Sequence, residues 1–451
     1  MDTAKTRAAQ IEQLREKFKE SGIRKVKLGG FDIDGVLRGK YVSLDKFWGV
    51  AESGLGFCDV VFGWDSGDQL YDNASVTGWH SGYPDAHATV DLGTFRRIPW
   101  EEGTAAFLLD FELPVSPRQV LQKVDQKARS LGFAVKCSSE YEFFMFKETP
   151  ESVREKGYAN LTPLTPGMVG YPWLRSSETA PLVHALQDGL NAFDIEVEGF
   201  HTETGPGVYE AALRYDSLIR AADKAALFKT ATKEICARHG VMPCFMAKWN
   251  QSLPGCSGHL HQSLWSLQGE PLFHDGRGTK GMSKLMAHYV AGQVALMPAM
   301  TALIAPTINS YKRMVRGAWS PTMATWGVDN RTTALRVIPG SPSSTRVEYR
   351  FAAADMNPYI AMAASVASGL YGIENELPLT AETVGNGYDA KAQPLPSTLR
   401  LATEALAASK EAREILGEAF VDHYVRTRDW ECRQFESAVT KWELERYFEI
   451  I

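Results

Sequence analysis

The chain has 451 residues, with 48 Lys and Arg against 54 Asp and Glu for a formal charge of −6, and it is 44% hydrophobic and 23% charged. That composition supports a sizeable core and excludes a disordered chain, a collagen-like fibre and a generic basic nucleic-acid binder. It leaves room for a locally cationic pocket, and the length allows two or three domains or one large α/β unit with a small partner.

Near the N-terminus Ile11, Leu14 and Phe18 recur at helical spacing, so this segment reads as an amphipathic helix and not as a secretory leader. Residues 24–110 read as short strands. Asp34-Gly35 between apolar runs signals a hairpin, 63–91 is glycine-rich loop, and AAFLLDFEL closes the region. From Ser116 the style changes: SPRQVLQKVDQKARSLG reads as a helix with Ser116 as N-cap, Pro117 in its first turn and Gly132 at its end. Strands and long helices then alternate, from FAVKCSSEYEFFMF through DIEVEGF, DSLIRAADKAALFKTATKEICARHG, VMPCFMAKW, HLHQSLW and ALRVI to TRVEYRF. The uncharged stretch 288–311 contains Gln293, Pro298 and Pro306 and reads as a buried helix and its exit, not a membrane span. From residue 397 onward the pattern is helical, with EAREILGEAFVDHYVRTRDWECRQFE as its longest run. Cys58, Cys137, Cys236, Cys244, Cys256 and Cys432 form no CxxC pair, which predicts free thiols in a reducing compartment. The expectation is a cytoplasmic α+β protein divided near residue 110, into residues 1–110 and 111–451.

Four patterns carry chemistry. In SSEYEFFMF, Glu140 and Glu142 lie two apart on a strand and share a face, where they repel unless a cation or proton intervenes; a solvated strand face is the alternative. Glu203 and Glu210 bracket Gly205-Pro206-Gly207, a turn able to bring both carboxylates together, or simply a solvated loop. In GCSGHLHQSLW, His259 and His261 share a face behind a glycine-rich turn and suit metal ligation, phosphate contact or a structural role. In TRVEYRF, Arg346, Glu348 and Arg350 alternate, placing a carboxylate between two guanidinium groups. Arg313, Arg331 and Arg336 complete a set of five arginines. Five glutamates with one or two histidines are hard ligands suited to Mg²⁺ or Mn²⁺, and five arginines beside them suit a polyanion such as a nucleoside triphosphate. No GxxxxGKS is present, so the composite predicts metal-assisted phosphoryl transfer outside the P-loop enzymes.

The order of these motifs, with DGVLRGKYV, APTINSYKR, DNRTTALR and RVEYRFAAADMNPYIAMAASVASGLYGIEN, resembles the type I branch of the glutamine synthetase family over essentially the whole chain. The resemblance implies an N-terminal β-grasp domain, a C-terminal glutamine synthetase-type catalytic domain and hexameric rings, single or stacked into a dodecamer, with active sites between subunits. Carried over by position, it implies Glu142, Glu203 and Glu210 as ligands of one divalent metal and Glu140, His259 and Glu348 as ligands of a second. It implies Gly255, Arg313 and Arg350 on glutamate, Glu198, His261, Ser263, Arg336 and Arg346 on the nucleotide, and Arg331 facing phosphate. ATP then phosphorylates the γ-carboxylate of glutamate, and an amine displaces phosphate from γ-glutamyl phosphate.

The sequence departs from that family at the amine end. Where glutamine synthetases carry a loop near PGxEAP after NSYKR, this chain reads MVRGAWSPTM, so Trp319 stands in place of the carboxylate that attracts and deprotonates ammonium. The FDGSS turn is replaced by FGWDSGD, with Asp65 matched to the amine-site aspartate and Asp68 as its alternative, and Val208 replaces a common glutamine. The expected activity is ligation of glutamate to an amine larger and less polar than ammonia, an aromatic or alkyl monoamine. A γ-glutamylpolyamine synthetase is the alternative, favoured by Asp65, Asp68 and Asp72; glutamine synthetase proper and a non-catalytic ring protein rank below it. Tyr388 is the nearest match to a tyrosine modified in some relatives, with different flanking residues.

Overall fold

The computed structural model describes residues 3–451. The chain runs α1 (Thr3–Ser21), β1 (Lys25–Phe31), β2 (Leu37–Val42), α2 (Leu44–Ser53), β3 (Leu55–Cys58), β4 (Asp85–Arg97) and β5 (Thr104–Phe111), forming one sheet in the order β2-β1-β5-β4-β3. Ile11, Leu14 and Phe18 are all buried, and Phe18 packs on Phe47, Trp48 and Phe107, so the apolar stripe of α1 is core. The Asp34-Gly35 hairpin forms as read, with Gly35 at φ +78°. Two expectations fail here. Helix α2 occupies part of the region read as strands, started by Ser43, whose side chain accepts from the Lys46 amide. Strand β4 is 13 residues long and begins inside the stretch read as loop.

The second part follows in chain order: α3 (Pro117–Ser130), β6 (Phe133–Phe146), α4 (Pro150–Glu155), α5 (Trp173–Glu178), α6 (Ala180–Ala192), β7 (Val197–Thr202), β8 (Val208–Leu213), β9 (Asp216–Ser217), α7 (Leu218–Ala237), β10 (Met242–Cys244) and β11 (Gly258–Ser266). It continues with α8 (Lys284–Ile304), α9 (Ser310–Arg313), β12 (Trp326–Val328), β13 (Leu335–Ile338), β14 (Arg346–Tyr349), α10 (Pro358–Glu374), α11 (Leu399–Ala408), α12 (Lys410–Leu416), α13 (Glu418–Ser437) and α14 (Lys441–Tyr447). Its strands build a nine-stranded sheet in the order β12-β13-β14-β11-β6-β8-β7, with β9 and β10 also paired to β6. The architecture is α+β, as expected.

Strand β6 shows why the sheet has a chemical face. Its alternation buries Tyr141 and Phe143 against Phe228 of α7, leaving Glu140 and Glu142 on the opposite side. Helix α8, the uncharged stretch, packs on α10; a Cβ on Gly292 would fall 2.6 Å from Gly372 Cα, so glycine permits the close approach. It is long and apolar enough to cross a membrane, but 67% of that stretch is buried inside the protein. Ser116 does cap α3 in position, though its side chain makes no capping bond. The run EAREILGEAFVDHY divides at Gly417, whose φ of +95° ends α12 and starts α13. All six cysteines are free.

The smaller sheet is locked to the helices of the second part by polar contacts. Arg118 of α3 donates to both carboxylate oxygens of Asp223 on α7 (2.8 and 3.0 Å), to Asp110 on β5 (2.6 Å) and to Asp91 on β4 (2.7 Å). Asn357, which caps α10, donates to the carbonyls of Asp32 and Ile33 in the β1–β2 turn. Arg428 of α13 reaches Asp34 in the same turn at 2.7 Å.

Candidate active site

Strand register assembles a row of charged side chains across the larger sheet. His201 on β7 faces Glu210 on β8, and Glu210 faces Glu142 on β6. One step along β6, Glu140 faces His259 on β11. His261 faces Glu348 on β14, and Glu348 faces Arg336 on β13. Two carboxylates directly opposite each other, as Glu142 and Glu210 are, destabilise a sheet unless a cation or proton sits between them.

All six expected metal ligands lie on this face or at its edge. His259 Nδ1 is 2.9 Å from Glu140 and 3.3 Å from Glu348. Glu203, just past the end of β7, is 3.2 Å from His201 Nε2, which is also 3.5 Å from Glu210. Glu142 accepts the backbone N–H of Ser257 at 2.6 Å. Ligating atoms converge in two groups, Glu140 with His261 and Glu348, and His201 with Glu203 and Glu210. These differ from the expected sets in bringing His261 and His201 forward. The donor set fits a hard divalent ion: carboxylate oxygens dominate, imidazole nitrogens supplement them, and the Nε2 of His259 is buried without a partner.

The electrostatics reflect the crowding. Burial pushes Glu210 up to about 9, and the negative charges of Glu140, Glu142, Glu203 and Glu348 reinforce it. Burial also acts against the charge on Glu140, yet hydrogen bonds from His259 and His261 hold it well below the ordinary carboxylate range. Glu348 resists its burial in the same way, and His259 and Arg350 bring it down to about 2. A divalent ion bound at Glu210 would require it as a carboxylate, so adding Mn²⁺ at pH 7 is expected to expel about one proton per chain. Titration calorimetry in buffers of different ionisation enthalpy measures it, and metal uptake without proton release would count against Glu210 as a ligand. Without metal, the contribution of Glu210 to stability is complete below its ordinary value of 4.5 and is lost as pH rises toward about 9.

Beside this row opens a cavity of about 410 Å³. Four of the expected nucleotide residues, Glu198, His261, Ser263 and Arg346, line it together with Lys136, Tyr215 and Trp265, which the motifs did not single out. Lys136 Nζ sits 3.5 Å above the Trp265 ring. Arg346 Nε donates to His261 Nδ1 at 3.2 Å, leaving the Nε2 of that ring toward Glu140. Arg336 does not line the cavity; it pairs with Asp329 and, at 3.0 Å, with Glu348. The sequence reading placed Glu348 between Arg346 and Arg350. In the structure its guanidinium neighbours are Arg350 and Arg336, because the antiparallel β13 supplies the second one across the ladder.

Arg313 is only 4% exposed and has no carboxylate partner among the described residues; it donates weakly to the carbonyl of Phe351 at 3.3 Å. A cation so placed invites an anionic ligand. Gly255 lies against it, since a Cβ there would fall 2.6 Å from Arg313 Cγ. Arg350, also buried, pairs with Glu348 and donates from Nε to the carbonyl of Arg331, whose own side chain is exposed.

The amine-end residues are arranged differently. Trp319 is 65% exposed with φ +58°, on a loop, 314–323, that carries no acidic residue. Asp65 accepts from Gly67 and Gln69 in its own turn and from Trp430 Nε1 at 3.1 Å, and makes no hydrogen bond to the carboxylate row. Asp68 pairs with Arg38 and Asp72 with Arg433. Two further residues were missed: His201, and Tyr171, whose ring stacks on His201 at 4.4 Å. The period-2 rule applied to HTE would have placed His201 beside Glu203; no sequence signal marks Tyr171. Tyr388 is buried, with its backbone carbonyl accepting from Arg316.

Residues 114–447 match the family described as glutamine synthetase, catalytic domain. The chain is 50% identical to type-1 glutamine synthetase 2 of Dictyostelium discoideum over 438 residues, covering 94% of this chain and 84% of that one. It is 38% identical to glutamate–isopropylamine ligase of a Pseudomonas species, covering 98% of both. A solved structure described as "Apo GmaS without ligand" superposes with a TM-score of 0.83 at 26% identity, over 96% of this chain and 98% of that one. The chain belongs to the glutamine synthetase family and is an ATP-dependent carbon–nitrogen ligase of the kind that joins glutamate to an amine or ammonia.

Proposed function

We propose that this ligase joins the γ-carboxylate of glutamate to an amine larger and less polar than ammonia, an alkyl or aromatic monoamine. The observation that carries the reading is Trp319 on a loop without a carboxylate. Ammonium must be held as a cation and then relieved of a proton, which an indole does poorly, whereas an indole offers apolar area to an amine substituent. A relative that acts, by its name, on isopropylamine supports the same class. The polyamine alternative draws on Asp65, Asp68 and Asp72, of which Asp68 and Asp72 are already paired with Arg38 and Arg433 within the chain.

In the mechanism proposed, Glu142, Glu203 and Glu210 would hold one Mg²⁺ or Mn²⁺ ion and Glu140, His259 and Glu348 would hold a second. Such ions would supply neutralisation of phosphate charge; the chain's own residues bind and orient the two substrates while the terminal phosphoryl group of ATP passes to the γ-carboxylate of glutamate and ADP leaves. Glu198, His261, Ser263, Arg336 and Arg346 orient the nucleotide, and Arg331 faces the transferring phosphate. Arg313 and Arg350 hold glutamate, with Gly255 leaving room beside Arg313. The amine nitrogen then attacks the acyl carbon, the bond to phosphate breaks, and the nitrogen loses a proton. Asp65 of a neighbouring copy in a hexameric ring, single or doubled, is assigned to the amine end. The test is phosphate release from ATP and glutamate with Mn²⁺ or Mg²⁺ and a panel of ammonia, isopropylamine, benzylamine, ethanolamine, putrescine and spermidine. Isopropylamine or benzylamine is expected to give the highest kcat/KM, and ammonia in first place would overturn the reading.

A further inference from the structure

The turn that carries Asp65 belongs to a loop, residues 62–75, that lies along one face of α13. Side chains three or four residues apart on that helix meet the loop one after another. His423 Nε2 donates to the Phe62 carbonyl at 2.9 Å, and Asp422 accepts from Ser75 Oγ at 2.9 Å. Arg426 exchanges two hydrogen bonds with Asn73: its Nη1 donates to the Asn73 carbonyl and its own carbonyl accepts from Asn73 Nδ2, both at 3.1 Å. Arg433 adds a two-pronged pair to Asp72 at 2.9 and 2.5 Å. Trp430 stands between Arg426 and Arg433 on this face, and it reaches the Asp65 turn itself.

Trp430 is fixed before it meets Asp65. Its ring packs edge-on against Tyr71, with centroids 6.1 Å apart at 81°, and the Arg433 guanidinium lies 5.5 Å from its centroid. From there Nε1 donates to Asp65 Oδ2 at 3.1 Å. The other oxygen, Oδ1, accepts the Gly67 and Gln69 N–H groups at 2.8 and 2.9 Å. A carboxylate offers about four acceptor positions. The two amides fill Oδ1 and the indole takes a position on Oδ2, which leaves Oδ2 able to accept from a further N–H. Asp68 and Asp72 of the same loop are occupied by Arg38 and Arg433.

We infer that Trp430 is a positioning residue for the amine end: its indole N–H, held by α13, orients the Asp65 carboxylate and leaves it an acceptor position for an ammonium N–H. The inference rests on the assignment of Asp65 to the amine end of a neighbouring copy. It adds that the helical C-terminal segment of one chain orients the carboxylate offered to the next chain's substrate. Trp430 itself takes no part in bond making.

Trp430→Phe deletes the N–H and keeps an aromatic ring against Tyr71. The KM for the best amine of the panel is expected to rise roughly threefold to tenfold, the range of one hydrogen bond, with kcat and the KM values for ATP and glutamate held within about twofold. Asp65→Asn is expected to raise the same KM by about tenfold or more. Ser75→Ala severs a contact of the same row away from the turn and is expected to leave every constant within about twofold. An unchanged amine KM in Trp430→Phe, beside a rise in Asp65→Asn, would overturn the positioning role and leave the reading of Asp65 intact. No change in either variant overturns both. Equal rises in Trp430→Phe and Ser75→Ala, or a loss shared by ATP and glutamate, mark general loosening of the loop and also overturn the role.

Discussion

Glu348→Gln is expected to lower kcat/KM by about 10²- to 10³-fold and to blunt the rise in thermal midpoint that Mn²⁺ gives the unaltered protein. The substitution keeps volume and removes one charge. That charge is enclosed by Arg350, by Arg336 at 3.0 Å and by His259 at 3.3 Å, and Glu348 is 1% exposed. Without it, two guanidinium groups and an imidazole face one another in a poorly hydrated site, and breaking a buried pair in this way costs roughly 3–5 kcal/mol. The arginines on either side also lose the contact that aims them. Measured kcat/KM within about tenfold of the unaltered enzyme would show that Glu348 is an internal counter-ion and nothing more.

Trp319→Glu is expected to reverse the order of amines. A carboxylate near an ammonium at the protein surface gains roughly 0.2–1 kcal/mol once solvent screening is discounted. Removing the indole withdraws roughly 1–3 kcal/mol of apolar contact from an aryl or alkyl substituent. Together these shift the ammonia-to-benzylamine ratio of kcat/KM by about 10²-fold. Backbone strain does not confound the comparison, because tryptophan and glutamate meet the same penalty at φ +58°. Trp319→Gln separates charge from size: it is expected to lose the benzylamine preference without gaining ammonia. A ratio unmoved by both substitutions would place the amine elsewhere.

Side chains in regular alternation were readable in advance. Glu140 with Glu142, His259 with His261, and Glu348 with Arg350 each follow from the two-residue period of a strand, and the helical stripe of Ile11, Leu14 and Phe18 from its own period. What joins them was not. The pairing of His261 with Glu348 and of Glu348 with Arg336 depends on strand register between segments far apart in sequence. For that reason Arg336, not Arg346, became the second neighbour of Glu348. Gly417 and Ser43 show a different limit: each was present as a local signal, a break and a cap, and each was outweighed by the longer pattern around it. Asp65 shows a third, since spacing cannot reveal that Trp430 holds its carboxylate.

The Arg118 junction bears on how the two parts of the chain can move. One guanidinium on α3 joins Asp91 and Asp110 of the smaller sheet to Asp223 of α7, and the Tyr359 hydroxyl supports Asp223 from a third direction at 2.7 Å. A clamshell opening between the sheets would strand that charge away from its carboxylates and from water at once. The junction therefore opposes rigid-body separation of the smaller sheet from α3 and α7, and faster motion is left to the connecting segments, whose excursions occupy nanoseconds to microseconds.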